Sequence, residues 1–332
     1  MEIKQKIYIS VIIPTYKRPK KLTRLLKSLK EQTYKNFEAL VVDNDADIKI
    51  KKIVEDFKIK CSFPLYYLKE PKLGLHEVRH TGLRAASGNV LILTEDEVTF
   101  DPDWISAYSE AFIKHPEMKV AGGPIKPIWE EKPPGWLLKL IGNSKTFSPL
   151  SLINLSKTFT LNSHGSFFGG NMAIYKDLLI ELGGFNPEYF KKILLGDGET
   201  GLNYKIWKKK ILIGYIPEAL IYHHIDKNRM TVEAINHWMD NEGRCDVYSL
   251  FSQKSKPFYW LSIIGIIFSL IFINIKYWLG AFFIKSWRAP FLLNFKLQST
   301  RTLSQISYIK RILTDKKIQK MIVRKNWLRA RS

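Results

Sequence analysis

Cysteine and acidic side chains are both scarce in this chain, and each shortage excludes something. Only two cysteines occur in 332 residues. Cys61 and Cys245 lie far apart and form no C-x-x-C pair, which argues against a disulfide framework and a zinc cluster and fits a reducing compartment. Acids number 31 against 52 lysines and arginines, leaving a formal net charge of +21. That excess suits an anionic partner: nucleic acid, a phosphate-bearing ligand or an anionic membrane surface. Charge alone does not choose among them. No internal repeat or low-complexity tract stands out. The apolar run Ile7 to Ile13 is short and ends in Pro14, which is wrong for a signal peptide and right for a first strand.

What is present is enough for a full core: 45% of residues are hydrophobic and 13% aromatic, which predicts one large domain with an appendage. Short β-branched runs alternate with amphipathic stretches. IYISVII precedes a helix over about Pro19 to Glu31, and FEALVV precedes one near Asp47 to Phe57. LYYL precedes one over about Gly74 to Ala86, and VLILT one over about Asp101 to His115. That order predicts an α/β fold with a mostly parallel sheet flanked by helices. Ligands of such sheets bind outside the carboxyl ends of the strands. Residues 116 to 165, rich in Pro, Gly and Trp, show no steady period and predict a long excursion or mobile loop.

The strand ends are polar: PTYKRP after the first, Asp43-Asn44-Asp45 after the second, and Thr94-Glu95-Asp96-Glu97 after the fourth. One acidic strand end is an ordinary solvated turn; three on one edge form a candidate site. A basic crevice floored by carboxylates is what binding a metal and a diphosphate together requires, since Mg2+ or Mn2+ bridges one or two carboxylates and substrate phosphates. Strand alternation puts Glu95 and Glu97 on one side and Asp96 on the other. Leu75, Arg79 and Leu83 share a helix face, so Arg79 stands near the strand ends as an ion-pair partner or a phosphate ligand. Gly169 and Gly170 permit close backbone approach. GDGETGL opens a helix with Asp197 and Glu199 in its first turn, where capping is the plain structural reading. His223 and His224 end a later strand.

Several of these stretches resemble the family 2 glycosyltransferases: IPTYKRPKKLTRLLKSLKEQTYKNFEALVVDND, LGLHEVRHTGLRAASGNVLILTEDE, DPDW, GGNMAIYKDLLIELGGF, and GDGETGL followed by YIPEALIYHH. The resemblance covers about residues 7 to 225. It implies the GT-A fold and inverting transfer of a sugar from a nucleotide-diphospho-sugar donor to an acceptor hydroxyl, usually with a divalent metal. It assigns Pro14, Thr15, Tyr16, Arg18 and Asp43 to the nucleoside and Arg79 to the nucleotide. Asp96 would face the ribose or phosphate and Glu97 the metal, with Glu95 beside it and His223 or His224 reaching the metal or diphosphate. The family usually has Asp at the metal position, so Glu97 is one methylene longer than its counterpart. Aligning on Leu202 puts Glu199 at the family's catalytic acid, Gly198 at its neighbour, and Asp197 one place away as the second candidate base.

The C-terminal part lies beyond the resemblance. Pro257 to Ile275 contains no charged residue, and the tail after it is dense in Lys and Arg. A single span over about Phe258 to Ile284 would set that tail opposite the catalytic domain, against the positive-inside tendency. A re-entrant hairpin or interfacial helix pair on the cytoplasmic face of the membrane is therefore expected. The expected units are a catalytic domain, 1–250, and a membrane-associated helical segment, 251–332. The acceptor would be a saccharide or lipid-linked glycan in cell-surface polysaccharide or glycolipid assembly. Two other readings stand beside this one: a catalytically silent nucleotide-sugar-binding or scaffold protein of the same fold, and a nucleic-acid-binding protein. The latter predicts basic and aromatic residues interleaved on one face, whereas here the aromatics crowd into the apolar segment.

Overall fold

The computed structural model describes residues 7–187, 189–190, 193–194, 197–253, 263–265, 268, 271–272, 275 and 288–328. Strand and helix alternate from the start: Ile9–Thr15 (β1), Pro19–Lys30 (α1), Phe37–Asp43 (β2), Ile48–Lys58 (α2), Leu65–Lys69 (β3), Leu75–Ala85 (α3) and Val90–Leu93 (β4). The local chemistry accounts for the boundaries. Pro19 opens α1, where its missing N–H costs nothing, and Leu22, Leu25, Leu26 and Leu29 recur on one buried face. Asp47 caps α2 by accepting the Lys49 N–H at 2.8 Å.

Then follow Val98–Phe100 (β5), Trp104–Lys114 (α4), Val120–Gly122 (β6), Ile125–Trp129 (β7), Gly135–Ile141 (α5), Thr146–Phe147 (β8), Leu152–Ile153 (β9), Thr160–Asn162 (β10), Met172–Tyr175 (β11) and Lys176–Glu181 (α6). The excursion expected over 116–165 is thus not a mobile loop. Its strands supply β6 and β10 to one sheet and β7, β8 and β9 to another. Each spans two to five residues, too few to print a period on the sequence.

The chain continues through Tyr189–Phe190 (β12), Ile193–Leu194 (β13), Gly198–Lys208 (α7), Ile213–Tyr215 (β14), Ile221–Ile225 (β15) and Val232–Gln253 (α8). The main sheet has the order β10-β14-β6-β11-β4-β1-β2-β3, and the smaller one β5-β15-β7-β9-β8. β1 pairs in parallel with both β2 and β4. The chain therefore builds β2 and β3 on one side of β1 and returns to the other side for β4. Between the carboxyl ends of β1 and β4 lies the switch point where such sheets open a crevice.

After α8 come the helices Arg288–Thr314 and Lys316–Ile322. Val247, Tyr248 and Phe251 of α8 bury against Tyr308, Ile309, Ile312 and Ile318, so the boundary expected at 250 falls inside a helix that belongs to both packing units. The tail returns to the catalytic body: the Trp327 N–H donates to the Gly183 carbonyl at 2.9 Å, and Leu328 packs on the main core. Among the described residues no helix is long and apolar enough to cross a membrane. The segment expected at Phe258 to Ile284 lies mostly outside the described residues.

Candidate active site

β4 stops at Leu93 and β5 starts at Val98, so Thr94 to Glu97 form a turn and strand alternation does not govern them. Asp96 and Glu97 both converge on Arg18, while Glu95 turns toward Gly170, a Cβ on which would lie 3.6 Å from its Cδ. Asp96 accepts from the Thr15 hydroxyl at 2.8 Å and from Arg18 at 3.1 Å. Burial raises its pKa, and those two partners pull against the rise. Glu97 is the most heavily paired acid of the site: Arg18 stands at 2.6 Å, Lys21 at 2.8 Å and Arg229 at 2.9 Å. Burial works to raise its pKa, but His223, Arg18, Lys21 and Arg229 prevail and hold it far below the ordinary carboxylate range. Glu95 goes the other way, raised by burial and then by the neighbouring Glu199 charge.

β15 brings His223 to this cluster. Its Nδ1 lies 2.9 Å from the Leu150 carbonyl, which only accepts, so Nδ1 carries a proton. Nε2 then faces Glu97 Oε2 at 3.4 Å and Arg229 Nη1 at 3.1 Å. A carbonyl that fixes one ring nitrogen and aims the other is the second-shell arrangement of metal-binding histidines. The donor set it offers is small: His223 Nε2 and Glu97 Oε2. Among the described residues no group of three or more His, Cys, Asp or Glu side chains is placed to hold a metal ion. Strand alternation turns His224 to the other face, where Nε2 meets the Thr99 hydroxyl at 3.0 Å; burial and nearby Arg24 lower its pKa to about 4. It is not part of the cluster.

On the opposite side of the acid turn, Arg79 donates to Glu199 at 2.7 Å and its guanidinium lies 5.0 Å from the Phe185 ring centre. Arg79 is buried and does not line the cleft; it braces Glu199 from behind. The pair rests on Gly169, where a Cβ would sit 2.4 Å from both Arg79 Nη2 and Glu199 Oε1. Asn171 holds that glycine turn in place. Its Oδ1 accepts from Trp104 Nε1 and the Tyr108 hydroxyl, both at 2.8 Å, and its Nδ2 donates to the Pro124 and Ala219 carbonyls. Asp197 occupies the N-cap position of α7 but its side chain caps nothing, contrary to the expected role. Its carboxylate is buried and accepts from Asn186 at 2.8 Å and from Ser249 of α8 at 3.0 Å.

These elements enclose a cleft of about 670 Å³ lined by Pro14, Thr15, Tyr16, Arg18, Glu95, Asp96 and Glu97, among others. Asp43 is not among its walls. Both of its oxygens are taken by the Asp45 and Asp47 amides and the Tyr67 hydroxyl, and the next residue, Asn44, lines the cleft instead. Sequence reasoning also missed Lys21, Arg229, His237 and Asn171. Only the basic run PTYKRPKK and the Arg six places after His223 left any signal.

A parallel switch-point crevice floored by an acidic turn and faced by basic side chains defines the GT-A class of fold. A mannosyltransferase from Pyrobaculum calidifontis, solved in complex with GDP-Man and Mn2+, superposes with a TM-score of 0.59 at 17% identity, covering 94% of this chain and 88% of that one. Residues 10–183, just over half of the chain, match the family model of glycosyl transferase family 2, and the chain belongs to that family. A glucosyl-dolichyl phosphate glucuronosyltransferase from Haloferax volcanii is 22% identical over 55% of this chain and 58% of its own length. A GalNAc(5)-diNAcBac-PP-undecaprenol beta-1,3-glucosyltransferase from Campylobacter jejuni is 25% identical over 68% of each chain. The chain spans between about a third and three-fifths of the length of the first three curated relatives it matches.

Proposed function

We propose that this protein is an inverting glycosyltransferase that moves a sugar from a nucleotide-diphospho-sugar to an acceptor hydroxyl. The observation that carries the reading is that Glu97, Arg18 and Arg229 line one switch-point crevice, with Lys21 and His223 paired to Glu97 outside its lining and the Arg79-braced Glu199 beyond Glu95. Pro14, Thr15, Tyr16 and Asn44 line the end of the cleft assigned to the nucleoside. Asp43 acts there only by shaping the turn. Asp96, held by Thr15 and Arg18, is the acid directed to the ribose or phosphate.

The leaving diphosphate develops negative charge, and preorganised cations around it lower the barrier. Arg18, Lys21 and Arg229 are those cations. Glu97 Oε2 and His223 Nε2 are the two donors the protein would offer a divalent ion, Mn2+ or Mg2+, and Arg229 Nη1, at 2.9 and 3.1 Å from them, would have to withdraw to admit it. Such an ion supplies Lewis-acid stabilisation of the leaving group. Glu95 is left to the acceptor side of the turn, toward Glu199. The acceptor hydroxyl must lose its proton as it attacks, and Glu199 is assigned as the base that receives it. Arg79 fixes the direction of that carboxylate, and Asp197 is a support for the start of α7 rather than the base.

The dolichyl phosphate and PP-undecaprenol in the two relatives' names support a lipid-linked saccharide acceptor, and with it we place the reaction in cell-surface polysaccharide or glycolipid assembly at a membrane surface. No nucleic-acid partner is expected. A thermal-shift screen against nucleoside diphosphates and their sugars, with and without Mn2+, tests the reading. A ligand at about 100 times its dissociation constant stabilises by roughly 2.7 kcal/mol. The expected outcome is a Mn2+-dependent shift that Glu97→Gln abolishes; since ionised Glu97 offsets Arg18, Lys21 and Arg229, the variant's unliganded midpoint should fall as well, and circular dichroism checks that it still folds. Absence of any shift across the nucleotide set would overturn the donor assignment, and a shift indifferent to Mn2+ and EDTA would overturn the metal.

A further inference from the structure

The helix that carries Glu199 in its first turn ends in an aromatic arrangement that the transfer site does not use. Trp207, in the last turn of α7, is 46% exposed. The rings of Tyr204 and His164 pack against it in T-shaped geometry, with centres at 5.8 and 5.7 Å and interplanar angles of 70° and 65°. His164 is itself held in place: its Nδ1 meets the Ser163 hydroxyl at 3.0 Å, and its N–H donates to Asn162 Oδ1 at 3.0 Å. Together with Lys208 and Lys210 these rings line a depression of about 290 Å³. Lys209 between them turns away to pair with Glu181.

We propose that Trp207, Tyr204 and His164 form a second saccharide-binding site, with Lys208 and Lys210 selecting an anionic glycan. The proposal rests on the glycosyl-transfer reading of the cleft. A half-exposed indole with two rings packed at steep angles to it is a restrained aromatic surface that loses little entropy on binding, and the C–H face of a pyranose is the surface complementary to its exposed part. Two lysines beside the rings supply charge complementarity toward a carboxylate or phosphate on the same polymer. Lys210 sits at φ 52°, in the left-handed region at the end of α7. Glycine would occupy that position without steric cost, yet the chain places a cation there, at the edge of the depression.

Trp207 follows Glu199 by eight residues on one helix, a distance of about 12 Å at 1.5 Å per residue. A polymer held at this platform remains on the element that carries the assigned base, a few sugar units away. The site would thus retain a growing chain rather than present the reacting hydroxyl.

Because the protein carries +21, any polyanion will slow it in a gel, so the decisive comparison keeps the charge constant. Affinity electrophoresis would be run through gels containing hyaluronan, neutral dextran or inorganic polyphosphate, with the full chain and its Trp207→Ala and Trp207→Phe variants. Trp207→Ala is expected to weaken hyaluronan binding about tenfold, the size of one aromatic stacking contact, and to leave polyphosphate retardation unchanged. Trp207→Phe should retain most of the binding. Lys208→Ser with Lys210→Ser should reduce hyaluronan binding toward that of dextran. Equal retardation of wild type and Trp207→Ala in hyaluronan would overturn the platform, and dextran binding as tight as hyaluronan would overturn the anionic selectivity. Thermal shift by nucleotide sugars, measured on the same variants, should be unaffected; its failure in wild type would count against the cleft reading instead. A helix-end packing role for the Tyr204 and Trp207 pair predicts a lowered thermal midpoint with no change in hyaluronan binding, and that result too would overturn the site.

Discussion

Alanine at position 169 would put a methyl carbon 2.4 Å from Arg79 Nη2, 2.4 Å from Glu199 Oε1 and 2.8 Å from Arg79 Cζ. Ordinary van der Waals contact begins at 3.4 Å, so the paired groups must retreat by about an ångström. Arg79 is 1% exposed and backed by the Phe185 ring, whereas Glu199 is 21% exposed. The carboxylate is the group free to move. Overpacking of this kind costs about 1–3 kcal/mol, which for a chain of this size lowers the melting midpoint by roughly 1.5–4 °C. A catalytic group misplaced by an ångström costs about 100-fold in rate. Gly169→Ala is therefore expected to fold, to keep its thermal shift with a nucleotide-sugar donor, since Gly169 does not line the cleft, and to turn over about 100-fold more slowly. Initial rates of nucleoside diphosphate release, normalised to folded protein by calorimetry, measure it. A lowered midpoint with wild-type turnover would show that Glu199 is not the base, and an unchanged midpoint would refute the close packing itself.

Glu199→Gln removes the assigned base and should lower turnover by about 100 to 10,000-fold while donor binding persists; Asp197→Asn should do less, and the reverse order would transfer the role to Asp197. Asp197 also sets a pH dependence of stability. Burial pushes its carboxyl up to about 6 against 3.8 for an ordinary aspartate, with Asn186 and Ser249 pulling the other way. The folded state thus holds a proton that the unfolded chain releases, so stability falls as pH rises from about 4 through about 6. The contribution approaches about 3 kcal/mol. Urea unfolding across pH 4 to 7.5 should show Asp197→Asn gaining on the wild type over that window, and parallel curves would exclude the effect.

Much of the catalytic body was legible in the chain because its signals are local. The leucines at 22, 25, 26 and 29 with Pro19 ahead of them mark α1 to within a residue of its observed end. β-branched runs mark the first four strands, and their alternation with helices dictates a parallel sheet whose polar carboxyl ends face a common edge. That edge holds the acid turn, Arg18 and Thr15 where the sequence put them. The same local reading failed over 116–165, where the strands are too short to show a period and gain their stability from neighbours far along the chain.

What the sequence by itself determined is the α/β alternation, the acidic turn and the position of Glu199 at a helix start. Only the tertiary structure decided which charges meet. Glu97 gathers partners from positions 18, 21, 223 and 229, Arg79 finds Glu199 across 120 residues, and the Asp197 carboxylate caps nothing because Asn186 and Ser249 of α8 hold it. Charge pairing depends on distance and burial in space, and neither follows from the spacing of residues along a chain once sheet topology has folded distant segments together.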